Sequence, residues 1–331
     1  MKEKVIETIK KYKLIENGDK LVLGVSGGPD SISMLKILND IRNDKKTQIE
    51  FDIIVAHINH MIRKEAKEDE KYVQKFCEKI DIQFYSKSID VQKIANNNKI
   101  GTEEAGRKAR YEFFNEVLNN TNSNKIAIAH NKNDKVETII MNILRGSGIT
   151  GLKGIEPIKN NKYIRPLIEC ERYEIEQYCK QNNIEARIDK TNFENIYTRN
   201  KIRNIVIPYI KEEFNPNINQ TIIRLSDLVK EENEYLEKTV KNKYKELIIE
   251  EQKKEIIMNL KEFNKQDKVI KSRLLLYTIS RLLGSTNGIE KIHIEDIIKL
   301  CSNNIGNKYL TPNKNIKVLV KNNKIHFINQ K

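Results

Sequence analysis

Several short segments of the chain concentrate residue types that bind anions or move protons. The first is Ser26-Gly27-Gly28-Pro29-Asp30-Ser31. Paired glycines let the backbone turn tightly and leave amide N–H groups open to an anion, while a proline suits the first turn of a helix whose N-terminus adds positive potential. The run lacks the lysine of a GxxxxGK[ST] loop and does not match GxGxxG, which disfavours motor, GTPase and dinucleotide-binding readings. Taken alone it also reads as an ordinary strand-to-helix turn.

Next come His57 and His60 in HINHMIR, two imidazoles at a predicted strand end. No His or Cys with matching spacing follows, so zinc is disfavoured, leaving a ligand contact or a structural hydrogen bond. In EEAGRKARY, Arg107 and Arg110 lie three apart on one helix face as permanent cations suited to phosphate. Glu103 and Arg107 are also spaced for a routine surface ion pair. HNKNDKVET puts Asp134 and Glu137 one helical turn apart, as cation ligands or as dipole partners of a first turn. The series closes with Arg145 in RGSG, Arg165 in RPL, the DKTN run from Asp189, and Arg199, Lys201 and Arg203 in YTRNKIR.

The elements that must position these groups follow from hydrophobic periodicity. Apolar runs at Leu21–Val25, Phe51–Ile58, Ile82–Tyr85 and Lys125–His130 alternate with helical stretches at Glu65–Lys79, Gly101–Leu118 and Asp134–Leu144. That rhythm predicts a parallel sheet with crossover helices. From Asn215-Pro216 onward the pattern turns to helices at Ile222–Ile249, Val269–Leu283 and Ile289–Cys301, without intervening strands. Two alternating runs around Asn322-Asn323 predict a terminal hairpin. The expected organisation is an α/β catalytic domain over 1–214 and a mainly helical, basic region over 215–331.

Composition bounds the function. With 331 residues and 38% hydrophobic, the chain can bury a full core. Cys77, Cys170, Cys179 and Cys301 form no CxxC pair, which speaks against disulfide frameworks and iron–sulfur ligation. No apolar run approaches membrane-spanning length and the first residues carry no signal-peptide pattern, so a cytoplasmic location with no membrane partner is expected. The net charge is +14, of which about +9 falls on residues 268–331, and clustered cations of this kind favour a polyanion.

The SGGxDS loop resembles that of the N-type ATP pyrophosphatases, or PP-loop enzymes, which implies a Rossmann-like domain of the adenine nucleotide α-hydrolase type. The ordered set SGGPDS, HINHMIR, EEAGRKARY, HNKNDKVET, RGSG, RPL, DKTN and YTRNKIR, spanning residues 26–203, is similar to the tRNA(Ile)-lysidine synthases. The resemblance implies ATP-dependent ligation of free L-lysine to the wobble cytidine of an isoleucine tRNA with a CAU anticodon. The cytidine is first adenylated, pyrophosphate leaves, and the lysine amine then displaces AMP. By matching positions, Ser26, Gly27, Gly28, Pro29, Asp30, Ser31, His57, His60, Arg107 and Arg110 would bind ATP, with Asp30 on Mg²⁺. Asp134 and Glu137 would bind lysine, and Asp30, Asp134, Glu137 and Arg110 form the expected catalytic set. Arg145, Arg199, Lys201 and Arg203, with the basic C-terminal segment, would contact tRNA, in a monomer or homodimer. The rival readings are a PP-loop tRNA sulfurtransferase, which usually needs a cysteine cluster, and a non-catalytic RNA-binding protein.

Overall fold

The computed structural model describes residues 1–61, 66–187, 195, 197–303 and 308–331. The DKTN run falls outside these residues. Two compact units, Met1–Asp227 and Leu228–Lys331, make up the chain. The composition change at Asn215-Pro216 precedes a long helix, Ile218–Leu247, and the units part within it.

The first unit opens with α1 (Lys2–Tyr12), β1 (Asp19–Gly24), α2 (Pro29–Arg42), β2 (Phe51–Asn59), α3 (Ala66–Lys79) and β3 (Gln83–Ser88). It continues through α4 (Val91–Asn98), α5 (Thr102–Asn120), β4 (Lys125–Ile128), α6 (Lys132–Leu144), α7 (Ile149–Leu152), β5 (Ile158–Lys159), β6 (Tyr163–Ile164) and α8 (Arg172–Gln181). The sheet order is β3-β2-β1-β4-β6-β5, with every pair parallel except β5–β6. This is the expected parallel-sheet architecture. Its strand order reverses beside β1, the position at which open α/β sheets bind ligands.

The apolar run of β1 shows why a central parallel strand reads as continuous hydrophobicity. Leu21 and Leu23 join a core with residues of α1, α2, α3 and α8. Val22 points to the opposite face and packs with Ile54, Ala56, Ile126, Phe113 and Phe114, the phenylalanines coming from α5. At Gly24 the contact becomes so close that a Cβ would lie 2.5 Å from the Phe114 ring. Glycine at the end of β1 therefore sets how near α5 approaches the sheet.

After the described residues resume come α9 (Thr198–Lys201), a π-helix (Ile202–Val206), α10 (Ile207–Glu213) and α11 (Ile218–Leu247). Ile202, Ile207, Ile222 and Ile223 pack against Val136, Ile139 and Ile140 of α6, which fixes the 198–213 segment beside that helix.

The second unit corrects the expectation of a helical region. Besides α12 (Leu260–Asn264), α13 (Lys268–Leu283) and α14 (Lys291–Asn303), it contains β7 (Ile248–Glu251), β8 (Glu255–Asn259), β9 (Lys308–Asn313), β10 (Ile316–Lys321) and β11 (Lys324–Asn329). These strands form an antiparallel sheet ordered β7-β8-β11-β10-β9. Ile256, Met258, Val318, Val320, Ile325 and Phe327 alternate onto one face, where they share a core with Phe263, Leu274, Leu275, Ile279 and Ile297 of the helices. The hairpin expected around Asn322-Asn323 is present as β10–β11, with those two residues at φ 50° and 56°. Positive φ at both central positions is the two-residue turn that matches strand twist.

Candidate active site

Because β2, β1, β4 and β6 are adjacent and parallel, the segments after their C-terminal ends meet along one edge of the sheet. In spatial order these bring His60, the SGGPDS loop, His130 and Asn131, and Arg165, with His57 near the C-terminal end of β2 itself.

In the loop, Gly27 sits at φ +93°, a conformation that L side chains resist. Gly28 caps α2 and Pro29 occupies the first helical turn. The two serines hold the turn from within: the Ser26 amide donates to Ser31 Oγ at 3.1 Å, and Ser31 Oγ donates to the Gly28 carbonyl at 3.0 Å. Buried His57 supports it from the next strand, its Nδ1 lying 2.8 Å from the Val25 carbonyl. A carbonyl only accepts, so Nδ1 carries the proton. Burial also lowers the pKa of His57, and the ring is neutral. Its sequence expectation as a ligand contact thus meets a structural hydrogen bond. His60 instead lies beside α5, with Arg110 Nη2 3.4 Å from its Nε2. Burial lowers the Arg110 pKa, with Arg107 acting in the same direction.

Asp30 lies in the first turn of α2 with Oδ1 buried and unpartnered. Burial, followed by the nearby Asp134 charge, raises its pKa to about 6. Asn131 and the more distant charges of Arg172 and Arg203 pull the other way. A buried carboxylate oxygen without a donor, next to a second carboxylate, is a place for a hard cation. Among the described residues no group of three or more His, Cys, Asp or Glu is arranged around a metal. Mg²⁺ takes one or two carboxylates and completes its shell with phosphates and water, a demand that the unpartnered Asp30 oxygen with Asp134 nearby suits.

Asp134 and Glu137 are brought together on α6, and the structure gives Asp134 two tasks. Its backbone amide donates to Asn131 Oδ1 at 3.0 Å while its Oδ2 accepts from the Asn131 amide at 3.0 Å, a capping box. Its Oδ1 accepts from Arg203 Nη2 at 3.1 Å. Glu137, only 1% exposed, accepts from Arg199 Nε at 3.0 Å and from Arg203 Nε and Nη2 at 2.6 and 2.9 Å. Burial raises the Glu137 pKa and the Arg203 contacts oppose it. Arg199 also donates to Thr138 Oγ1 at 2.8 Å. Two guanidinium groups expected on an RNA surface are thus folded onto the two carboxylates expected to hold lysine. Lys201 and Arg145, by contrast, are exposed.

Two residues that the sequence motifs contain without a role of their own are brought to this edge by the fold. His130 has a buried, unpartnered Nδ1, and burial lowers its pKa to about 4. Arg165 is 5% exposed and its Nε is buried without a partner. The available signal was position: each immediately follows a strand, where a parallel sheet presents its ligand-binding groups. The four cysteines are buried and unpaired.

The fold has counterparts among known proteins. Residues 1–210 match the family described as the PP-loop domain. A tRNA(Ile)-lysidine synthase of Clostridioides difficile is 46% identical over 329 residues, covering 99% of this chain and 70% of that protein. One from Clostridium tetani is 46% identical, covering 97% of this chain and 68% of its counterpart. Among solved structures, a U34-tRNA thiolase from Methanococcus maripaludis superposes with a TM-score of 0.57 at 21% identity, over 69% of this chain and 77% of that one, a likeness of fold.

Proposed function

The chain belongs to the tRNA(Ile)-lysidine synthases, built on a PP-loop domain, and from that premise we propose how its residues divide the work. It is a carbon–nitrogen bond-forming ligase that makes lysidine, using ATP, tRNA(Ile) and lysine. The sulfurtransferase and non-catalytic readings lose their footing to these relatives.

The SGGPDS loop takes the β and γ phosphates of ATP on open amides at the start of α2. Asp30, with Asp134 nearby, would hold the Mg²⁺ that accompanies ATP, and the ion would supply positive charge against the phosphates. Arg110 and Arg107 contribute fixed positive charge from α5, with His60 orienting Arg110. The cytidine of a CAU anticodon, unstacked in its loop, presents its carbonyl oxygen to the α phosphorus.

The observation that carries the lysine assignment is the buried Glu137–Asp134 pair, already satisfied by two guanidinium groups. Such a carboxylate pair is built to hold cations of the size and charge that lysine brings. Delivering a neutral amine at pH 7 costs roughly 4–5 kcal/mol for a group with pKa near 10.4. Carboxylates beside the ammonium increase that cost, because opposite charge favours the protonated amine. Arg199 and Arg203 reach RNA only by leaving Glu137, and exposed Lys201 and Arg145 need no such change. The basic C-terminal region is assigned to tRNA as well.

The test is incubation with ATP, Mg²⁺, labelled lysine and a CAU tRNA. Label is expected in the tRNA with one AMP and one pyrophosphate released per lysine. Glu137→Gln is expected to reduce lysine incorporation while leaving pyrophosphate release on tRNA addition. Equal loss of both steps would remove Glu137 from lysine binding.

A further inference from the structure

Arg165 follows β6 at the ligand-binding edge of the sheet and is nearly enclosed by protein. Its Nη1 donates to the Glu156 carbonyl, yet its Nε is buried without any partner. Among the described residues its guanidinium forms no ion pair. Burial, the largest influence, lowers its pKa, and Arg107 acts in the same direction, while Tyr111, through its charge and a side-chain hydrogen bond, and Glu156 oppose them. Arg107 stands over the Tyr111 ring at 5.2 Å, and Tyr111 in turn meets Tyr163 of β6 edge-on at 5.1 Å. The aromatic pair thereby ties the guanidinium-bearing helix α5 to the strand that precedes Arg165.

A guanidinium buried without a carboxylate is costly, and its persistence calls for a compensating anion. We propose that Arg165 is a phosphate-binding residue, its fork forming with Arg107 of α5 an anion pocket at the end of β6, which β4 separates from the strand that leads into the SGGPDS loop. A guanidinium fork matches phosphate oxygens in two parallel hydrogen bonds, which the orphaned Nε is free to begin. The chemistry is the same whether the oxygens belong to ATP or to the phosphodiester flanking the target cytidine. The identity of those two sources rests on the lysidine-forming reading, but the pocket itself does not.

Thermal unfolding of the full chain, with inorganic pyrophosphate, ATP or CAU tRNA added in turn, separates the cases. Arg165→Met removes the buried charge, so the ligand-free protein is expected to melt at or above the wild-type temperature. A structural arginine would do the opposite. If the pocket holds nucleotide phosphate, the variant loses roughly tenfold or more in ATP affinity and its response to pyrophosphate shrinks. If it holds RNA phosphate, ATP and pyrophosphate responses persist and tRNA affinity falls by a similar factor. Unchanged responses to all three ligands in folded protein would overturn the proposal. Should Arg165→Met not fold, Arg165→Lys keeps the charge but not the fork. It is expected to show the same selective loss, and unaltered binding by that variant sinks the idea too. Wild-type protein that responds to pyrophosphate but never incorporates lysine would refute the lysidine reading while sparing the pocket.

Discussion

Asp30 shows how the burial of a single carboxyl acts against stability. Its pKa in the folded protein, raised to about 6, exceeds the ordinary carboxylate value near 4. The native state therefore binds this proton more tightly than the unfolded chain, and the contribution favours folding below pH ~4 and is lost as pH rises through about 6. At neutral pH the ionised group costs on the order of 3 kcal/mol. Asp30→Asn is expected to raise the melting temperature by several degrees at pH 7.5, with the gain vanishing near pH 4, while pyrophosphate release stops and tRNA binding survives. A pH-independent change in melting temperature would show that Asp30 does not titrate in this way. The position of this residue was legible from SGGPDS, because a glycine turn before a helix fixes where its first-turn side chains go. The partners of Arg199 and Arg203 were not. Their choice of Glu137 over solvent depends on α9 and the π-helix being packed against α6, a contact some sixty residues distant in sequence that no local spacing encodes.

At the scale of elements, the strands and helices of the first unit were readable because each is buried as its periodicity requires, Leu21 and Leu23 to one core and Val22 to the other. The strands β7 and β8 were not readable. Ile248–Asn259 interposes Glu250, Glu251, Gln252, Lys253, Lys254 and Glu255 between short apolar pairs, and the stretch continues directly from α11, so helical propensity hid the change of period. The approach of α5 to β1 links packing to the site, since α5 carries Arg107 and Arg110. Gly24→Ala forces its Cβ against Phe114 and is expected to cost about 1–3 kcal/mol, measured by urea unfolding, and to raise the KM for ATP. Adding Phe114→Leu should recover most of both losses. No recovery would mean that the ring is not what the new methyl displaces.

At the scale of the whole molecule, charge was legible as a total but not as a surface. The second unit's helices cover one face of its sheet, and cross-strand register gathers the remaining groups on the other. There Tyr309 lies opposite Leu319, which lies opposite His326, with Lys317 Nζ 4.1 Å from the centre of the Tyr309 ring. Lys321 and Lys324 are paired across the β10–β11 turn. An aromatic ring among lysines suits RNA, where stacking and phosphate contacts combine. Replacing Lys317, Lys321 and Lys324 together with alanine is expected to weaken tRNA binding and to reduce the slope of log affinity against log salt by roughly 2–3, each lost phosphate contact contributing about 0.7–0.9. An unchanged slope would remove this face from the RNA contact.

The pairing of Glu137 with Arg199 and Arg203 carries one more consequence. If lysine is to use Glu137, the protein furnishes its own competitive inhibitor, covalently attached and always present. Apparent affinity for lysine is then the intrinsic affinity scaled by the fraction of molecules in which the arginines have let go. A closed form favoured a hundredfold would weaken lysine binding about a hundredfold. A polyanion that draws Arg199 and Arg203 toward itself would relieve that inhibition, so an RNA-free enzyme would ignore the surrounding pool of amines and become receptive once its larger substrate had arrived.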